Sequence, residues 1–176
     1  MVLAMKLHGI NVIFRRRRKM RETFIIDRID YYYEKALEIY CDLHSVSDDE
    51  LTEEQIEEIN LYAGNHIGFF LTWVIKHDFI AEEHKKNEGV QLVKDEKMTG
   101  TEYLIEYCDT KFLSHDVVEE LIPFVEEYYA DSYFSDYCNW VINDLCDLPM
   151  EFIGSWDDYH EFEEILDEAY ENFCGE

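Results

Sequence analysis

The stretch AGNHIGFFLTWVIKHDF, residues 63–79, sets two glycines, a histidine and a tryptophan into an apolar run. The rest of the chain is crowded with acid. A helix that is apolar on every side is enclosed by other elements and does not lie on a surface. This one begins earlier. Thr52 and Gln55 have the spacing of a capping box, and Glu53 and Glu54 suit the positive end of a helix dipole. From there the sequence passes from amphipathic TEEQIEEINLY into NHIGFFLTWVIKHD, with a kink expected at Gly64. Gly64 and Gly68 stand four apart, which strips one helix face and lets a neighbouring helix come close. They do not form a phosphate-cradling loop, which requires a preceding strand.

The flanking segments read as helices too. FIIDRIDYYYEKALEIYCDL carries Ile25, Ile29, Tyr32, Tyr33, Ala36, Leu37 and Tyr40 on a 3.6-residue stripe. A short helix is expected near Gly89 to Lys97, and Thr99 or Thr101 can cap the next. The segment from Ser114 to Asp144 is the longest helical pattern, with Pro123 expected to kink or divide it. DDYHEFEEILDEAYENF closes the chain, with Phe162, Ile165, Leu166, Ala169 and Phe173 facing inward. No alternating run is long enough for a strand. The expected fold is an all-α, single-domain helical bundle around a central apolar helix. It spans residues 21–176, and residues 1–20 form a basic extension outside the core.

Composition narrows the function. Apolar residues make up 47% of 176, so the acidity is not that of a disordered tail. Seven of the 15 basic residues lie in residues 1–22, where Glu22 is the only acid. The other 154 residues therefore hold eight basic and 40 acidic side chains, a net charge of −32. Such a surface repels nucleic acid and anionic membranes and attracts cationic partners. The apolar run before RRRRK is followed by its charge, the reverse of a secretory signal, and is too short to cross a bilayer. Five cysteines, Cys41, Cys108, Cys138, Cys146 and Cys174, form an odd set without a C-x-x-C pair. They read as reduced thiols of a cytoplasmic protein, and no cofactor or metal motif accompanies them.

Two histidine sets could carry chemistry. His66, within the apolar helix, lacks an identifiable nucleophile or orienting partner in the sequence. It reads as a buried imidazole bonded to a backbone carbonyl or a carboxylate, ahead of a catalytic base. His77, Asp78 and His84 gather ligand-type side chains, but the histidines are too far apart for the H-E-x-x-H mode, and a surface cluster is the better reading. SDDELTEEQIEE lacks the central glycine of a calcium loop. EEYYADSYFSDY interleaves tyrosines with acids. On a helix, Glu126, Tyr129, Tyr133 and Tyr137 fall near one face, with Glu127, Asp131 and Asp136 beside it. That mixture suits contact with lysine or arginine of a protein partner.

NHIGFFLTWVIKHDFI, then MTGTEYLIEYCDTKF, then FVEEYYADSYFSDY resemble an uncharacterised family of small acidic bacterial proteins. Its members carry a THIG-x-FL-x-W segment, a TG-x-E-(Phe/Tyr)-L…CD-x-K segment and an acidic, tyrosine-rich stretch. The similarity spans about residues 62 to 140. Asn65 replaces the usual threonine, Thr110 stands where glycine is common, and a helix-like region replaces a short lead rich in tryptophan, tyrosine and glycine. The resemblance implies a helical domain and an immunity role in toxin-based bacterial competition. It implies no catalytic residues.

The expectation is a cytoplasmic immunity protein, not an enzyme, that binds a cognate toxin with a basic surface through Glu126, Glu127, Tyr129, Asp131, Tyr133, Asp136 and Tyr137. A small hydrolase using His66, or a metal enzyme using His77, Asp78 and His84, is the alternative. An acidic DNA-mimic regulator is the third reading. An enzyme requires a concave pocket in which His66 meets another titratable side chain.

Overall fold

The computed structural model describes residues 22–175 and the backbone of residues 6–7 and 10–11. The rest of the basic extension, and with it the expectation for residues 1–20, lies outside the described residues. Two two-residue strands, β1 (Lys6–Leu7) and β2 (Ile10–Asn11), pair antiparallel. The body runs β3 (Ile25–Arg28), α1 (Asp30–His44), α2 (Glu53–Lys76), α3 (Glu88–Lys94), α4 (Gly100–Tyr107), β4 (Lys111–Leu113), α5 (Ile122–Phe124), α6 (Phe134–Asn143) and α7 (Trp156–Gly175). It is a predominantly helical fold, as the patterning predicts.

The long apolar helix α2 is the centre. Thr52 caps it with the expected box: its hydroxyl accepts from Gln55 N at 3.3 Å, and the Gln55 side chain accepts from Thr52 N at 2.9 Å. Gly64 does not interrupt it. From Ala63 to Ile75 every residue is buried. Phe70, fully enclosed, touches Trp73, Phe112, Phe124, Tyr129 and Tyr133 with ring centroids 4.6–6.2 Å apart. The glycine pair meets its expected neighbour. Helix α4 starts against Gly68, so closely that a Cβ there would lie 2.7 Å from the Thr101 Cα. Thr72 welds the crossing, donating to Gly68 O at 2.8 Å and accepting from Gly100 N at 3.1 Å. Thr99, with Glu102, forms a second capping box at the start of α4.

Two local expectations are corrected. Ile25–Arg28 is a strand and not the first turn of α1; it pairs antiparallel with Lys111–Leu113. Such short pairing leaves no run long enough to show alternation. Pro123 neither kinks nor divides its helix, because it occupies the first turn, where a missing N–H costs nothing. Beyond it the helix widens: Val125–Tyr133 is π-helical before α6 resumes. Wide turns of this kind occur mostly as single insertions at functional sites, and a nine-residue run is unusual. Thr110 takes φ 59°, a left-handed conformation that β-branched residues resist.

A buried histidine pocket beside an acidic groove

Strand β3 contains a bulge. Ile25 pairs with Leu113 and Asp27 with Phe112, so Ile26 is the extra residue. A bulge re-aims the side chains that follow it, and here Asp27 is buried among aromatic rings. Its Oδ1 accepts from Arg28 N at 2.8 Å. Its Oδ2 accepts from the Tyr129 hydroxyl at 2.9 Å and the Tyr32 hydroxyl at 3.2 Å. The charge is thus held inside by three donors, the condition for a tolerable buried carboxylate.

His66 faces the same oxygen. Nε2 lies 3.6 Å from Asp27 Oδ2, just past hydrogen-bond length, and neither ring nitrogen makes a hydrogen bond with the protein. The imidazole is 1% exposed. The ring is clasped by Tyr32 (centroids 4.2 Å apart, edge to face) and Phe134 (4.9 Å). Burial pushes its pKa below the ordinary value, against the opposing pull of Asp27, so the neutral form is favoured. Burial also raises the hydroxyl pKa of Tyr129 and Tyr133, keeping both protonated donors. Tyr133 donates to the His66 carbonyl and stacks on Tyr129 at 4.8 Å. Both tyrosines sit on the π-helical stretch. Together these groups line a cavity of about 300 Å³ that His66, Asp27 and four tyrosines share.

The sequence reading of His66 holds in one respect and falls short in another. The residue is buried near a carboxylate, yet its hydrogen-bonding capacity is unfilled. It meets another titratable group in a concavity, the arrangement set out above for an enzyme. A general base also needs a proton to take, and no serine, threonine or cysteine reaches either ring nitrogen. Asp27 and Tyr32 are not legible in the sequence as partners of His66. They lie more than thirty residues away in the chain, and no local motif links them.

The tyrosine face turns inward. Tyr129, Tyr133 and Tyr137 are buried, which removes them from the expected surface of the free protein. The stripe on one helix side packs on α2, as in the hydroxyl of Tyr137 accepting from Asn65 at 2.8 Å. Glu126, Glu127 and Asp131 are exposed, and Asp136 is half-buried and accepts from Tyr128 at 3.0 Å. Glu127, Asp131 and Asp136 line a groove of about 610 Å³ whose other wall is α7, with Glu168. Phe124, Tyr128 and Phe173 give it an apolar floor. Tyr128 replaces the three inward tyrosines as the aromatic member of this surface.

The histidines grouped by sequence part company in space. His77 bonds through Nδ1 to Trp73 O at 3.0 Å, and its Nε2 lies 3.1 Å from Asp167. Asp78 pairs with Lys94. His84 bridges the Tyr103 hydroxyl and Asp116, both at 2.9 Å. The suggested metal set of His77, Asp78 and His84 is therefore dispersed. Among the described residues, no three His, Cys, Asp or Glu side chains are grouped to hold a metal ion. No described helix is long and apolar enough to cross a membrane.

Comparison with curated proteins and with solved structures gave no match. The profile of a domain of unknown function, DUF7832, matches residues 25–150, a span that includes Asp27, His66 and the π-helical tyrosines, and the chain belongs to that family.

Proposed function

We propose that this chain is an acidic binding protein that neutralises a basic protein partner, a cognate toxin in the reading its family resemblance implies. The groove between the π-helical stretch and α7 supports it: carboxylates of Glu127, Asp131, Asp136 and Glu168 stand over an aromatic floor. Opposite charge accelerates encounter by orders of magnitude at low salt, and aromatic contacts then hold the complex. Inhibition would follow by covering the toxin's active cleft or by fixing an inactive shape. The test is co-expression with the product of the adjacent reading frame. Rescue of growth that is lost on reversing Glu127, Asp131 and Asp136 to lysine, without loss of melting temperature, supports this reading. Equal rescue by the triple variant refutes the groove as the interface.

A hydrolase reading is favoured by a single observation, the His66–Asp27 pair in a cavity. It requires a water as nucleophile. Turnover of an activated ester that His66→Gln abolishes would support it.

A further inference from the structure

The acidic groove has a fitting occupant in the chain itself. Seven of the eight arginines and lysines after Glu22 pair with acids outside the groove. Among the described residues, none pairs with Glu127, Asp131, Asp136 or Glu168. Four like charges around one concavity repel one another and leave a negative potential that draws in cations. The site is also more than a charged patch. It is a groove of about 610 Å³, and Tyr128, Ile165, Ala169 and Phe173 are half-buried, so each keeps accessible apolar surface along it. Glu127, Asp131 and Glu168 are exposed at its rims. An occupant must bring several positive charges on side chains that also pack against rings. Arginine does both, because its flat guanidinium stacks on aromatic faces while it bonds a carboxylate through two N–H groups.

RRRRK, residues 15–19, gathers five of the chain's 15 basic groups in one run. The run lies outside the described residues, so its reach is set by where the described chain begins. Phe24 is fixed, its amide donating to Ser114 Oγ at 2.9 Å. Asp27, three residues on, accepts from Tyr129, which belongs to the same π-helical stretch as Glu127 and Asp131. The groove therefore lies about one helix width from β3, about 10–12 Å with side chains. The nine residues from Arg15 to Phe24 extend to about 30 Å, and the five from Lys19 to about 17 Å. That length carries the run round the helix. We propose that residues 15–19 dock in the acidic groove of their own chain, with arginines against Tyr128 and Phe173 and their charges against the four carboxylates. A groove filled in this way is closed to other cations, and the run is a built-in competitor that a basic partner must displace. The docking stands on the chain alone; the competition rests on the groove being the partner's site, as proposed above.

The test uses the full chain with no partner present, so the docking can fail while the toxin reading stands, and the reverse. A water-soluble carbodiimide joins a lysine amine to a carboxylate where the two are in contact. Peptide mapping of the cross-linked monomer should find Lys19 joined to Glu127, Asp131, Asp136 or Glu168. Salt at about 1 M, which shortens the range of charge interactions to about 3 Å, should reduce that product severalfold. The second arm frees the groove with the combined variant Arg15→Ser, Arg16→Ser, Arg17→Ser, Arg18→Ser and Lys19→Ser. The peptide acetyl-RRRRKM-amide should bind this variant at least tenfold more tightly than it binds wild type. The reason is that a tethered run competes at an effective concentration of about millimolar. Three results overturn the proposal: Lys19 joined only to acids outside the groove, such as Glu119, Glu120 or Glu126; a Lys19 product confined to dimers; or equal peptide affinity for the two chains.

Discussion

Replacing Gly68 by alanine tests the helix crossing that organises the core. The new Cβ would sit 2.7 Å from the Thr101 Cα and closer still to its amide nitrogen. Those are backbone atoms at the start of α4, so no rotamer change relieves the clash, and α4 must move off α2. Overpacking of this kind costs about 1–3 kcal/mol. Separation also stretches the Thr72 bond to Gly100 N, about another 1 kcal/mol. Against this, alanine is favoured over glycine in a helix by about 1 kcal/mol. The net is a loss of about 1–3 kcal/mol, or roughly 2–12 °C in Tm for a chain of this size. Gly64→Ala is the internal control. It lies on the same helix four residues away, but its Cβ would meet the tip of Ile29 at 2.8 Å, a flexible side-chain end that can turn aside. That variant should stay within about 1 kcal/mol of wild type, since the propensity gain offsets the adjustment. Thermal and urea unfolding of both variants measure the difference. Equal melting of the two refutes the account of the crossing.

Phe70→Ala should cost about 3–5 kcal/mol by denaturant unfolding, because the ring is fully enclosed by five aromatic neighbours. Thr110→Gly should stabilise by about 0.5–1 kcal/mol, since relief of left-handed strain of about 1–2 kcal/mol outweighs the added entropy of the unfolded chain; a lower Tm would show that the threonine side chain contributes more than its backbone costs. His66 has a folded pKa below its ordinary 6.5, the unfolded value. Its contribution is therefore whole above about pH 6.5 and is lost as pH falls through that value towards the folded pKa. Wild type should lose stability relative to His66→Gln between pH 7.5 and 5, and a gap that holds constant would show an imidazole that charges freely in place. Tyr133→Phe should cost about 1–2 kcal/mol through the lost bond to the His66 carbonyl.

The helical frame was legible because it rests on local chemistry. Thr52 and Gln55 announce their cap by spacing alone, Thr99 is one of two candidate caps for α4, and the glycine pair announces a close crossing. The apolar run announces burial. What the sequence hid depends on partners distant in the chain. Ile25–Arg28 carries apolar residues that fit a helical stripe, and only pairing with Lys111–Leu113 makes it a strand. Tyr129, Tyr133 and Tyr137 share a face in either reading, but nothing local says whether that face meets solvent or α2. The π-helical widening has no residue signature of its own. The pocket follows from all three: a strand, its bulge and an inward tyrosine stripe bring Asp27 to His66.

Helix α7 lies beyond the segment that matches the family. Its Tyr159, Phe162 and Leu166 are nonetheless interior, and Phe162 touches Phe69, Tyr133, Tyr137 and Trp140. Asp167 on the same helix accepts from the Trp73 indole at 2.8 Å. The segment that matches the family model is therefore shorter than the body that packs together. A fragment trimmed at residue 150 would uncover Phe69, Trp73 and Trp140 to water and open one whole wall of the acidic groove. A chain that ended with the shared segment would have to close that side of α2 by other means, with a terminal segment of different sequence or with a second molecule.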